Sequence, residues 1–190
     1  MKLNHKGFTI VELLIVIVVI GILAAIVIVA YNGVTARAND TKIRNAAAQL
    51  EKSIMVWSAQ TGSTVIHGGL YSATSAGANG CVDGVNGWFG RGSYTCTAEE
   101  HLIAQKVIPS NFSASLPPNT YFGSGNGGRL TMMLYKCSTP PGQYALFWTL
   151  QNPTTEEVNN VGNIISTCGV GTQIRDTWGM RAGKIFTLNP

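Results

Sequence analysis

The amino-terminal end of the chain combines a short basic head with a long apolar run. Residues 6–36 read KGFTIVELLIVIVVIGILAAIVIVAYNGVTA, and Glu12 is the only charged residue between Lys6 and Arg37. About 20 apolar residues cross a bilayer core as a helix, so the run after Glu12 is long enough for one membrane span. Because it also exceeds the roughly 7 to 15 apolar residues of a secretory signal peptide, we expect the span to be retained.

The composition fits one membrane segment attached to one modest domain. The chain has 190 residues, a length that excludes a large multidomain enzyme. Charged residues make up 12% and the mean hydropathy is +0.17, against about 25% charged residues in typical soluble proteins. The net charge of +4 is spread along the chain. Without a basic patch, this charge lends no support to a nucleic-acid partner.

Glu12 is unusual at the edge of an apolar span. A charge at the centre of a membrane helix costs about 2.5 to 3.5 kcal/mol on the translocon scale, so such residues either reach water or have a partner. The charge alone leaves two explanations open: the Glu12 side chain extends to the lipid headgroups, or a cation pairs with it.

Residues 6–12, KGFTIVE, followed at once by apolar residues, resemble the class III signal of type IV prepilins. In that family a prepilin peptidase cuts after the glycine that ends a short basic leader, and the new first residue, usually Phe, is N-methylated. The resemblance implies cleavage between Gly7 and Phe8, N-methylation of Phe8, and a role in filament assembly for Glu12, the fifth mature residue. The implied partners are the prepilin peptidase, other pilin subunits, lipids of the cytoplasmic membrane and the pilus assembly platform.

Cleavage after Gly7 would also supply the cation that Glu12 lacks. It creates an α-amino group, whose unperturbed pKa is about 7.7 to 8.0, at the head of the span. In a filament this amine can meet Glu12 of a neighbouring subunit. Alternatively it pairs within one chain, since Phe8 and Glu12 are i and i+4 on one helix face. The sequence leaves both geometries open.

Beyond the span, apolar residues continue at helical spacing as far as Trp57, and Thr61-Gly62-Ser63 is a helix stop. The apolar stripe consists of Ile43, Ala46, Ala47, Leu50, Ile54 and Trp57, and the polar face of Lys42, Arg44, Asn45, Glu51 and Lys52. We predict one helix over residues 8–60. Its first part, residues 8–36, is the transmembrane and assembly helix, and residues 37–61 form an amphipathic stalk that needs a covering sheet.

Residues 62–190 are long enough for one modest core. Residues 62–95 are predicted to be a long Gly- and Ser-rich connection, and the capping-box pattern TAEE starts a short helix at 97–107. Residues 129–137 and 143–150 form a predicted hairpin, with a further strand at 184–188 and a short helix at 154–161. The predicted fold class is α+β: a long N-terminal helix packed on a small antiparallel sheet, with a 1–7 leader and a disulfide-tied, pilin-like head at 62–190.

Four cysteines, Cys81, Cys96, Cys137 and Cys168, all follow the span. They include no CxxC pair, so a structural zinc site of the usual spacing is not indicated. In an exported domain an even count indicates disulfides, whereas a cytosolic domain would keep four reduced thiols. Of the three pairings we favour Cys81–Cys96 with Cys137–Cys168. A disulfide-bounded carboxy-terminal region is also what the pilin resemblance implies.

Patterns of catalytic or metal-binding residues are missing from the sequence. The three histidines have no metal-ligand spacing to an acid or to each other, and the adjacent Glu156 and Glu157 point in different directions. We therefore expect a protein that is not an enzyme, without catalytic residues, metal or cofactor.

These features favour a structural subunit of a type IV pilus-like surface filament. Its precursor would cross the cytoplasmic membrane once, and the mature subunit would lie in an extracellular pilus. A secretion pseudopilin or a competence pilin has the same amino-terminal signal and remains an alternative. The alternative from another class is a single-span, membrane-anchored binding protein.

Overall fold

The computed structural model describes residues 7–63, 87–89, 97–117, 131–137 and 142–188. Within these ranges the elements are listed in chain order: α1 (Ile10–Thr61), β1 (Trp88–Phe89), α2 (Ala98–Ala104), a 3-10 turn (Ser113–Ser115), β2 (Met132–Lys136), β3 (Gln143–Trp148), α3 (Thr155–Cys168), α4 (Gln173–Asp176) and β4 (Ala182–Thr187). The chain forms two compact units, Met1–Ala38 and Asn39–Pro190. The predicted α+β class is confirmed.

The predicted long helix is present as α1, which is unbroken over 52 residues. It begins two residues later and ends one residue later than predicted. Gly62 follows it with φ +64°, the left-handed conformation that glycine adopts without steric cost after a helix end. The helix is long and apolar enough to cross a membrane.

The second unit is built on a four-stranded antiparallel sheet in the order β1-β2-β3-β4. The predicted hairpin is confirmed, with Met132 opposite Trp148 and Lys136 opposite Tyr144. The predicted third strand is β4, which pairs with β3 and begins two residues before the predicted start. The two-residue strand β1 was not predicted.

Side chains alternate between the two faces of this sheet and build two separate cores. Met132 and Leu134 of β2 face the apolar stripe of α1, where Leu50 and Ile54 are fully buried. Their neighbour Met133 faces α3 and α4 on the opposite side of the sheet. The sheet therefore has helices on both faces, and the α3 layer was not predicted.

Helix α3 is longer than the predicted 154–161. It runs to Cys168 because the apolar period continues through Ile164 and Ile165, both buried. Gly162 inside it costs about 1 kcal/mol relative to alanine, a penalty that burial of this face outweighs. The helix ends where Gly169 takes the left-handed conformation, with φ +66°.

Helix α2 is shorter than the predicted 97–107, although its capping box between Thr97 and Glu100 is confirmed. The chain turns away after Ala104. Lys106 adopts φ +58°. The amide of Lys106 donates to the carbonyl of Ile103, and the amide of Val107 donates to the carbonyl of Leu102, at 2.9 Å each. This is the Schellman pattern, so the backbone stops the helix before Pro109 does.

A disulfide joins Cys137, directly after β2, to Cys168, the last residue of α3, across a Cα–Cα distance of 4.4 Å. Both residues are buried. The favoured Cys137–Cys168 pair is therefore present, and it ties the α3 layer to the sheet. The predicted partners Cys81 and Cys96 lie outside the described residues, as does nearly all of the Gly- and Ser-rich connection.

Two charged side chains bind α1 to the connection after β3 and to the first turn of α3. Asp40 is only 1% exposed, and its Oδ1 and Oδ2 accept hydrogen bonds from the amides of Gln151 and Asn152 at 2.8 Å each. One turn later, Arg44 donates from Nε and a terminal nitrogen to the two carboxylate oxygens of Glu157, at 2.7 and 3.0 Å. Such charge-assisted, bidentate contacts are among the stronger hydrogen bonds in proteins.

We predict that Asp40→Ala destabilises the second unit by about 2 to 4 kcal/mol, because the amides of Gln151 and Asn152 both lose a charged acceptor. All four tryptophans lie at or beyond Trp57, so near-UV circular dichroism of the full chain in mild detergent reports on this unit during heating. The exposed carboxylate of Asp176 provides a control, and Asp176→Asn should melt close to the wild type. Equal melting temperatures for the two variants would contradict the role of Asp40.

The Arg44–Glu157 pair makes stability depend on pH. The hydrogen bond from Arg44 holds the pKa of Glu157 below its ordinary value of 4.5, against an opposing effect of burial. A lowered folded-state pKa means that the contribution is fully present above pH 4.5 and is lost as the pH falls through the folded-state value.

We therefore expect Glu157→Gln to melt earlier than the wild type at pH 7, by less than about 1 kcal/mol because the pair is partly exposed. The difference should shrink as the pH falls well below 4.5. Glutamine keeps the capping role at this position, and Glu156→Gln controls for the loss of a charge from the same turn. A difference that is constant from pH 7 to pH 3 would rule out the ion pair as its cause.

Candidate functional site

The predicted cleavage residues lie directly before α1. Gly7, Phe8 and Thr9 are not helical, and α1 begins at Ile10. Phe8 is 83% exposed, and a Cβ atom added at Gly7 would meet no atom within 4 Å. None of the described residues therefore shields the peptide between Gly7 and Phe8.

Glu12 lies in the first turn of α1 and closes a capping box with Thr9. The amide of Thr9 donates to Glu12 Oε2 at 2.8 Å, and the Thr9 hydroxyl donates to the same oxygen at 2.7 Å. In return, the amide of Glu12 donates to the Thr9 hydroxyl oxygen at 3.2 Å. This is the reciprocal arrangement of a Thr-x-x-Glu capping box, and it explains why the helix starts at Ile10.

Thr9 was missed as a site residue by the sequence analysis. The signal was available, since a Thr followed three residues later by Glu before an apolar run is a recognised helix start. Pairing of Glu12 with an amine, within the chain or between chains, stays a prediction.

Between Glu12 and Tyr31 the helix carries only apolar side chains and Gly21. The large apolar side chains that the structure describes here are about half or more exposed. They have no cover from the described parts of the chain, so this surface requires lipid or other protein helices. After this apolar segment, the first polar side-chain contact along the helix is that of Thr35, whose hydroxyl donates to the Tyr31 carbonyl at 2.9 Å.

The second unit has an open groove between α1 and residues 107–116, with a volume of about 340 Å³. Lys42 is the only ionisable side chain among the described residues that line it. One lysine supplies no acid–base pair. In the described part of the chain, no group of three His, Cys, Asp or Glu residues could hold a metal ion.

Comparison with known proteins finds similarity over part of the chain. Residues 2–28 match the family described as the prokaryotic N-terminal methylation motif. Over 54 residues, the chain is 43% identical to proteins named "Type IV major fimbrial protein FimA" from Dichelobacter nodosus. The match covers 28% of this chain and 34 to 35% of those relatives, so the chain spans about a third of the length of the curated relatives it matches. No solved structure matches the chain.

Proposed function

We propose that this chain, which carries the prokaryotic N-terminal methylation motif at residues 2–28 and is similar to type IV major fimbrial proteins, is a structural subunit of a type IV pilus-like surface filament. The observation that carries the proposal is the Glu12 carboxylate, within the matched motif, at the head of an apolar segment of α1 that the described residues leave uncovered. In this proposal the precursor lies in the cytoplasmic membrane and the mature subunit in an extracellular pilus.

Processing is proposed to occur between Gly7 and Phe8 by a prepilin peptidase, followed by N-methylation of Phe8. Two features support this. The backbone at Gly7 and Phe8 is outside the helix, so its peptide groups are free of the helical hydrogen bonds that would hold them away from a protease. Gly7 has no side chain to obstruct the approach, and the space around its Cβ position is open.

Assembly is proposed to bury the apolar side chains of α1 against the same helix of neighbouring subunits. A repeated heterologous contact of this kind produces an open helical filament. Lipid covers the same side chains before assembly, so moving a subunit from membrane to filament exchanges one apolar surrounding for another. Residues 8–36 are then the transmembrane and assembly helix.

Within the filament Glu12 requires a cation, because an unpaired buried carboxylate is strongly destabilising. The α-amino group of Phe8 from a neighbouring subunit is the proposed partner, and methylation leaves its charge in place. Methylation by itself therefore does not remove the attraction. The other pilin subunits, which would supply this amine, and the assembly platform are proposed partners.

The remaining division of the chain follows from this scheme. Residues 1–7 are the proposed leader, residues 37–61 the stalk that packs on the sheet, and residues 62–190 the displayed head. The end of the first compact unit at Ala38 supports a change of role near this point. The burial of Ile43 and Leu50 supports the packing role of the stalk.

We predict that the chain, expressed with an active prepilin peptidase, is recovered from sheared surface material beginning at methylated Phe8. Gly7→Leu should keep residues 1–7, because the side chain obstructs the cleaved bond. Gly21→Leu is the matched control, since a Cβ atom at either glycine meets nothing within 4 Å, and it should be processed normally. Intact mass and amino-terminal sequencing provide the readout. A wild-type chain that keeps Met1 and stays in membranes would favour the single-span binding protein.

We further predict that Glu12→Ala is processed normally but falls about tenfold or more in the sheared fraction relative to the membrane fraction, since its neighbour's amine loses a buried partner. Asn32→Ala, which removes another polar side chain from the same helix, is the control and should assemble. Quantitative immunoblots of the two fractions measure the ratio. Normal assembly of Glu12→Ala would contradict the role of this carboxylate.

A further inference from the structure

The capping box uses the two oxygens of the Glu12 carboxylate unequally. Both Thr9 donors, the amide at 2.8 Å and the hydroxyl at 2.7 Å, bind Oε2. Among the described residues, nothing donates to Oε1. A carboxylate has two oxygens with about four acceptor sites, so the box occupies one side of the group and leaves the other able to accept.

The box also restricts where the carboxylate can be. A glutamate on a helix surface has three side-chain torsions, and ordering such a side chain costs conformational entropy. Because two hydrogen bonds from Thr9 already order the Glu12 side chain in the isolated subunit, this entropy is lost before any partner binds. The position is favourable for an anion, because the positive end of the helix dipole lies at the first turn.

Thr9 has a second effect in the membrane. A carboxylate leaving water loses its hydrogen bonds, and this loss is costly unless other donors replace them. The amide and hydroxyl of Thr9 come from the adjacent backbone and side chain, so they accompany Glu12 into any apolar surrounding. Before assembly, the isolated subunit thus carries part of the solvation of Glu12 with it.

We propose that Thr9 is a positioning residue for subunit assembly. Its amide and hydroxyl hold Glu12 through Oε2, and Oε1 accepts the incoming cation. This inference rests on the proposed function, in which that cation is the α-amino group of Phe8 from a neighbouring subunit. Cleavage after Gly7 leaves the Thr9 amide intact, so the box persists in the mature chain.

The test is a set of substitutions in the full chain, expressed with an active prepilin peptidase. Thr9→Ser keeps the hydroxyl, Thr9→Val removes it at nearly constant shape, and Thr9→Asp caps a helix at least as well as threonine but donates nothing from its side chain. Thr35→Val is the matched control, because it removes a threonine hydroxyl bound to a carbonyl in the same helix. Mass spectrometry of the amino terminus and the ratio of sheared to membrane-bound protein are measured for each.

We expect all four variants to be cleaved after Gly7. Thr9→Ser and Thr35→Val should assemble within about twofold of the wild type. For Thr9→Val and Thr9→Asp the ratio of sheared to membrane-bound protein should fall about fivefold or more, which corresponds to the loss of one helix-capping hydrogen bond. Normal assembly of Thr9→Asp would show that Thr9 only starts the helix and would overturn the proposal. Normal assembly of Thr9→Val would show that the hydroxyl is not needed and would overturn it as well.

Failure of the proposed function gives a different result. In that case the wild-type chain itself is missing from the sheared fraction, and the Thr9 variants differ from it in neither fraction. If instead the wild type assembles and Glu12→Ala does not, while every Thr9 variant assembles, the filament proposal stands and the positioning role of Thr9 is wrong.

Discussion

The buried carboxylate of Asp40 marks the place where α1 stops being an independent helix and becomes part of the second unit. It is the first buried residue of the described chain, and it accepts backbone amides from the connection after β3. Arg44 adds a bidentate contact to Glu157 in the first turn of α3. These charged contacts lie at the start of the apolar stripe, so they align that stripe with the sheet. The packing of Leu50 and Ile54 against β2 then follows from helical geometry.

Helices pack on both faces of the sheet, so its strands are buried on both faces. The alternation of Met132 and Met133 between separate cores shows how each strand contributes to both. The Cys137–Cys168 bond joins the end of β2 to the end of α3, and Glu157 links the start of α3 to α1. Helix α3 is thereby fixed at its two ends by different chemistry, and the second unit holds together around a sheet of short strands.

Local patterns allowed prediction of the elements that depend on nearby residues. The bounds of α1, the β2–β3 hairpin and the capping box of α2 follow from periodicity, turn residues and a four-residue signal. The contacts of Asp40 could not be predicted, because its partners lie 111 and 112 residues away in sequence. Strand β1 has two residues, and only its pairing with β2 defines it. For α3 the sequence predicted a helix over 154–161, whereas burial against the sheet extends the helix to Cys168.

Two of the three carboxylates of helix α1, Asp40 and Glu12, differ in their surroundings. Asp40 has both oxygens bonded to amides of its own chain, so it needs nothing from outside and acts in folding. Glu12 has donors on one oxygen alone among the described residues, and it begins an apolar surface that the described chain leaves uncovered. In the proposed filament, a partner that brings both a cation and apolar side chains would complete the bonding of this carboxylate and replace the lipid that covers the apolar surface before assembly. A second copy of this chain, once its own α-amine is exposed, would bring both at the same place.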